Sequence, residues 1–171
     1  MTTHYTILAL TPETLAELRT RDDAGAPPRT VTDTDGGTPL RCCLRRSGPG
    51  ETLCLVSYAP LRRWARETGA EPGPYDEVGP VFIHPEDCGG WAGGLDGGYP
   101  DAMRGDRRAL RAYSAEGRIL GGLLVEERRP GAPTIEESLT RLYADPRVAA
   151  VHVRAVEFGC FHTETRRAAP R

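Results

Sequence analysis

Lysine, asparagine and glutamine are absent from the 171-residue chain. A polar site here must therefore be assembled from arginine, histidine, cysteine, hydroxyls, carboxylates and main chain, with neither an ammonium nor a side-chain amide to draw on. No stretch of about 18 apolar residues occurs, which excludes a membrane-spanning helix. The start Met1-Thr2-Thr3-His4-Tyr5 also lacks the basic and apolar segments of an export signal, so a cytoplasmic location is expected. Charge of one sign is missing too: 24 acidic residues face 22 basic ones, and neither nucleic acid nor a membrane is an expected partner. Cys-x-x-Cys pairs, heptads, internal repeats and the Gly-Lys-Ser/Thr ending of a phosphate-binding loop are all lacking. Arg, Ala, Gly and Pro are plentiful instead, a skew that reads as a GC-rich genome rather than as function.

What is present suits one domain spanning residues 1–171, long enough to bury roughly two-thirds of its unfolded surface without staples. Five cysteines, Cys42, Cys43, Cys54, Cys88 and Cys160, form an odd set in a compartment that keeps thiols reduced. No disulfide is expected, and Cys54 within Leu53-Cys54-Leu55-Val56 reads as a small buried hydrophobe.

Tyr5 to Leu10 reads as a strand, and Thr11-Pro12 opens a short helix with Leu15 and Leu18 inward. Arg21 to Pro39 carries no apolar period and is expected to be irregular and mobile. Leu40 to Arg45 and Thr52 to Tyr58 look like two antiparallel strands around Ser47-Gly48-Pro49-Gly50. Leu61 to Glu67 suggests one or two helical turns, and Gly79 to His84 a short strand. Leu110–Ala115 and Arg118–Glu126 form a hairpin around Glu116-Gly117. Thr134-Ile135-Glu136-Glu137 is a capping box for a helix with Ile135, Leu139, Leu142 and Tyr143 on one side. Val148–Val156 and Cys160–Arg166 are the last strands. These elements predict an α+β fold, mostly antiparallel sheet with two main helices packed on one face.

Alternation in the final hairpin sets Val151 and Val153 toward the core and His152 and Arg154 opposite. A three-residue turn at Glu157-Phe158-Gly159 would bring Cys160, His162 and Glu164 onto the same face, whereas a two-residue turn would scatter them. From this comes the leading expectation, a small-molecule-handling protein leaning toward an enzyme of unassigned reaction class. Cys160 would be nucleophile or acid, His152 or His162 the base, and Arg154 the anchor for a substrate carboxylate or phosphate. His84 and Cys88 lead into the glycine-rich stretch Cys88–Tyr99, where Trp91 and Tyr99 offer stacking surfaces for a ligand. No cofactor is expected from any motif. The alternative is a non-catalytic protein, either an interaction domain or one holding zinc through Cys43, His84, Cys88 and Cys160. Cys42 is left out of that set because adjacent residues on a strand point to opposite faces. Oligomeric state is open.

Four segments together, Pro39-Leu40-Arg41-Cys42-Cys43-Leu44-Arg45, Gly79 to Cys88, Leu110-Arg111-Ala112-Tyr113 and Asp145 to Arg154, resemble the bacterial domain-of-unknown-function family 1203. Leu40 and Cys42 depart from the family's Pro-Cys-Arg-His-Cys-Leu stretch, so a site using those positions in relatives would be altered here. The resemblance implies no reaction, cofactor or partner.

Overall fold

The structure is a computed structural model that describes residues 5–93 and 98–168. In chain order it contains β1 (Tyr5–Leu8), α1 (Pro12–Thr20), β2 (Arg29–Asp33), β3 (Pro39–Leu40), β4 (Arg45–Arg46), β5 (Glu51–Tyr58), α2 (Pro60–Thr68), β6 (Gly79–Ile83), β7 (Arg108–Tyr113), β8 (Ile119–Val125), α3 (Ile135–Tyr143), β9 (Ala150–Ala155) and β10 (Phe161–Arg167). The strands form two sheets, ordered β1-β10-β9-β7-β8 and β2-β5-β6-β3-β4. All described pairings are antiparallel except β3 with β6. This is the α+β class that the sequence indicates, with sheet predominating. No helix among the described residues is long and apolar enough to cross a membrane.

Local chemistry explains the helices. Thr11 Oγ1 accepts the Thr14 N–H at 3.2 Å and Pro12 fills the first helical position of α1, which buries Leu15 and Leu18. The capping box of α3 is closed in both directions, Thr134 Oγ1 taking the Glu137 N–H at 3.1 Å and Glu137 Oε2 the Thr134 N–H at 2.8 Å. Its inward residues Ile135, Leu139 and Tyr143 pack with Leu110, Ala112, Val151 and Val153 of the first sheet. The suggested turn or two after Tyr58 is a nine-residue helix, α2, ended by Gly69 at φ +76°. Leu61 and Trp64 of α2 pack on Tyr113 and Ala150, so this helix covers the opposite face of the first sheet from α3.

Two segments fold differently from expectation. Arg21–Pro39 is pinned rather than free: Asp22 accepts the N–H groups of Ala24, Ala26 and Ser57, Asp23 accepts that of Ala59, and β2 pairs along its length with β5. An edge strand with largely exposed side chains carries no apolar alternation, since main-chain pairing alone defines it. The anticipated hairpin after Pro39 is likewise replaced, because β5 pairs with β2 and β6 instead. Residues 41–44 make a tight turn between the two-residue strands β3 and β4, closed by the Leu44 N–H on the Leu40 carbonyl at 2.9 Å. Leu44 sits at φ +52° there, a left-handed conformation offset by the burial of its side chain and by that turn-closing bond.

In the last hairpin His152 lies opposite Glu164, as expected, but a bulge between Phe161 and Thr163 puts Phe161 rather than His162 opposite Arg154. The face carrying His152 is therefore not solvated. Phe161 meets the His152 ring edge-on at 5.2 Å and the Tyr58 ring of the second sheet at 5.3 Å, which buries this face between the sheets.

Candidate functional site

The turn 41–44 also decides the chemistry. In a turn of helical sense, successive Cβ atoms diverge by about 100° instead of the half-circle of a strand, so Cys42 and Cys43 reach the same side. Their sulfurs are 3.9 Å apart, and His84 Nδ1, at the end of β6, lies 3.2 Å from Cys42 Sγ and 3.8 Å from Cys43 Sγ. Cys88 follows four residues later, and all four ligand atoms fall within 4.8 Å of one another. A tetrahedral Zn²⁺ with bonds of about 2.3 Å to sulfur and about 2.0 Å to nitrogen spaces its ligands by about 3.5 to 3.8 Å. The separations of 3.8 and 3.9 Å lie close to that spacing, the 3.2 Å one is shorter, and small side-chain shifts would close the set on an ion. His84 Nε2 meets Glu51 Oε1 at 2.7 Å, which places the ring proton on Nε2 and directs the Nδ1 lone pair at the sulfurs.

A second feature lies beside the turn. A cavity of about 530 Å³ opens between the sheets, with Arg41, Arg108, His162 and Cys160 in its wall, Arg46 and Glu157 also contributing, and Phe82, Phe158, Pro39 and Pro80 supplying apolar surface. Arg41 is 2% exposed and faces no carboxylate among the described residues: Nε and Nη2 donate to the Phe161 carbonyl at 2.8 and 2.6 Å, and Nη1 to that of Pro39 at 2.5 Å. Arg108 likewise donates to the carbonyls of Met103, Arg104 and Arg107, with Glu157 no nearer than 3.7 Å.

The family model described as "Protein of unknown function (DUF1203)" matches residues 37–167, well over half of the chain and the stretch that holds every residue of both features. The chain belongs to the DUF1203 family. Neither the curated proteins nor the solved structures yield a match.

Within this DUF1203 fold the electrostatics of the two features differ. The Cys42 thiol donates toward the Cys43 sulfur, which holds Cys43 below the usual thiol range, while the same bond and burial push Cys42 up. Glu51 is held below the usual carboxylate range by the Gly48 N–H, 2.7 Å from Oε2, and then by His84. In the cavity, burial first and then Arg41, Arg108 and Arg46 hold His162 down to about 2, so its imidazole is neutral. Its Nδ1 is buried without a hydrogen-bond partner. Burial likewise brings Arg41 down to about 10.

The residues singled out from the sequence of this DUF1203 chain are divided among three places. Cys43, His84 and Cys88 converge, with Cys42 where Cys160 was anticipated. Cys160 and His162 line the cationic cavity. His152 is fully buried, its ring 4.6 Å from that of Tyr113 and its Nε2 2.9 Å from Glu164 Oε2. Arg154 reaches Glu77 at 3.1 Å and the Gly159 carbonyl at 3.0 Å, sharing a small crevice with Cys160. Tyr99 is a core residue whose hydroxyl meets Thr163 Oγ1 at 3.1 Å, and Trp91 packs against the same core; residues 94–97 of that glycine-rich stretch lie outside the described ones. All five cysteines are free thiols. Glu51, Arg41, Arg46 and Arg108 escaped the sequence reading because an isolated Glu and three arginines among 22 basic residues carry no local signal.

Proposed function

We propose that this protein binds one zinc ion through Cys42, Cys43, His84 and Cys88, and that the metal fastens the turn 41–44 to the end of β6 and the segment behind it. What carries the reading is the convergence of three sulfurs and one imidazole nitrogen within 4.8 Å. Four protein ligands leave no open position for substrate or water, so the role is structural rather than catalytic. Elemental analysis of protein purified without chelator is expected to find one zinc per chain, and Co²⁺ exchange a tetrahedral thiolate spectrum. Cys43→Ser and Cys88→Ser should each lower the metal content. Metal-free protein that melts at the same temperature as the zinc-loaded form would overturn the structural role.

A second reading, an enzyme, is favoured by a single observation: Cys160 and the neutral His162 border the same cavity. The walled-in His152 would take no part, and His162, held neutral, would orient the Cys160 thiol as a hydrogen-bond acceptor rather than take its proton. Iodoacetamide modification of Cys160 that slows in His162→Leu supports this reading, and equal rates in the two proteins refute it.

A further inference from the structure

We propose that the cavity between the sheets is a binding site for a small organic acid, an oxyanion carried on an apolar body, gripped by Arg41, Arg108 and Arg46. The inference is independent of the zinc reading and holds whether or not Cys160 reacts.

A buried guanidinium is ordinarily matched by a carboxylate, because an uncompensated charge costs several kcal/mol to bury. The other buried arginine among the described residues obeys that rule. Arg63 makes a two-pronged pair with Asp23 at 2.7 and 2.9 Å and a third bond to Glu17 at 2.7 Å. Among the described residues Arg41 does not, and Arg108 has only Glu157, at 3.7 Å; each spends three donor contacts on carbonyl oxygens, and a guanidinium has five N–H groups. Both keep N–H groups for which the described residues supply no acceptor at hydrogen-bond distance.

Arg46, on the cavity rim, is also satisfied only by carbonyls, those of Gly37 at 2.6 Å and Arg104 at 3.3 Å. The acids nearby do not neutralise the three. Glu157 stays 3.7 Å from Arg108, and Asp106 is turned onto Arg128 at 2.7 Å. His162, 4% exposed, adds a neutral imidazole whose buried Nδ1 lacks a partner. An oxyanion would supply the missing charge and accept the spare N–H groups, two oxygens to a planar fork.

The rest of the wall fixes the ligand's other half. Phe82, Phe158, Pro39 and Pro80 form an apolar side, and about 530 Å³ lies within the range of small-molecule pockets. An inorganic anion would leave that surface wet, whereas an aryl or alkyl carboxylate or phosphate monoester fills both halves.

Isothermal titration of the zinc-loaded full chain with sodium hexanoate, phenyl phosphate, inorganic phosphate and 1-hexanol tests the assignment. Saturable binding of hexanoate or phenyl phosphate is expected, the better of the two telling carboxylate from phosphate, with inorganic phosphate and 1-hexanol at least about tenfold weaker. Arg46→Ala, at the exposed rim, should weaken binding several-fold, and Cys160→Phe, which fills the cavity while keeping its charges, should abolish it. Zinc content measured in each variant separates a lost cavity from a lost metal centre. No binding by either organic acid, binding of 1-hexanol with equal affinity, inorganic phosphate as tight as phenyl phosphate, or affinity unchanged in both variants would overturn the proposal.

Discussion

Glu51 never touches a sulfur, yet it sets the orientation of the one imidazole that does. Its Oε1 fixes Nε2 of His84 and its Oε2 takes the Gly48 N–H, so the carboxylate is itself held in place. Glu51→Gln keeps the shape but weakens that hold, and under the proposed zinc role the affinity for the metal is expected to fall roughly tenfold to a hundredfold, the usual cost of losing a partner behind a ligand. Competition with a chromophoric chelator measures it; unchanged affinity would show that Glu51 is a surface contact only. At this scale the sequence was partly readable. Cys43, His84 and Cys88 stood out because thiols and imidazoles are few. Cys42 was set aside on strand geometry, and what reverses that is a turn fixed by Leu44 at φ +52°, a conformation that a leucine does not announce.

Elements whose signals are local were legible, and those held by distant partners were not. The α3 helix wrote its own start in Thr134 and Glu137 and its own face in Ile135, Leu139 and Tyr143. The α2 helix and the segment from Asp22 to Asp33 depend on each other. Arg63 of α2 is 9% exposed and is anchored to Asp23, forty residues earlier in the chain, a pairing that no window of sequence reveals. The two modes predict different mutational costs. Thr134→Ala should destabilise by about 1 kcal/mol, the loss of one cap. Asp23→Ala strands Arg63 with Glu17 alone and frees the Ala59 N–H, and should cost about 3 kcal/mol. Urea unfolding of both variants checks the order, and equal losses would mean that the Asp23–Arg63 pair contributes no more than a surface contact.

Across the whole molecule, the two sheets meet over charged and aromatic groups as well as over apolar ones, which is why the alternation in β9 set His152 and Arg154 apart from the core. His152, Glu164, Arg166 and Glu67 form a chain of pairs, with 2.9 Å between the first two and 2.6 Å between the last two. Next to it His162 pairs with no acid among the described residues, and its situation gives folding a particular dependence on pH. An unfolded imidazole takes up a proton near 6.5, whereas burial and the nearby Arg41, Arg108 and Arg46 hold His162 down to about 2 in the fold. Between those values the unfolded chain binds a proton that the folded chain refuses, so the contribution is intact above 6.5 and is lost as pH falls toward 2. The loss approaches about 1.4 kcal/mol per pH unit, or about 2 kcal/mol between pH 6.5 and pH 5. His162→Leu puts an apolar side chain of similar size in its place and removes the titration; Nδ1 has no partner to lose, and only the ring's bond to the Met103 backbone goes with it. Thermal or urea unfolding of both proteins from pH 8 to pH 5, with zinc in excess, is expected to show the variant gaining on the parent by about 2 kcal/mol at the acid end. Every other titrating group, Cys42, Cys43, His84 and Cys88 included, is common to the two, so profiles that stay parallel would show that His162 accepts a proton in the folded state and that the arginines around it are already neutralised.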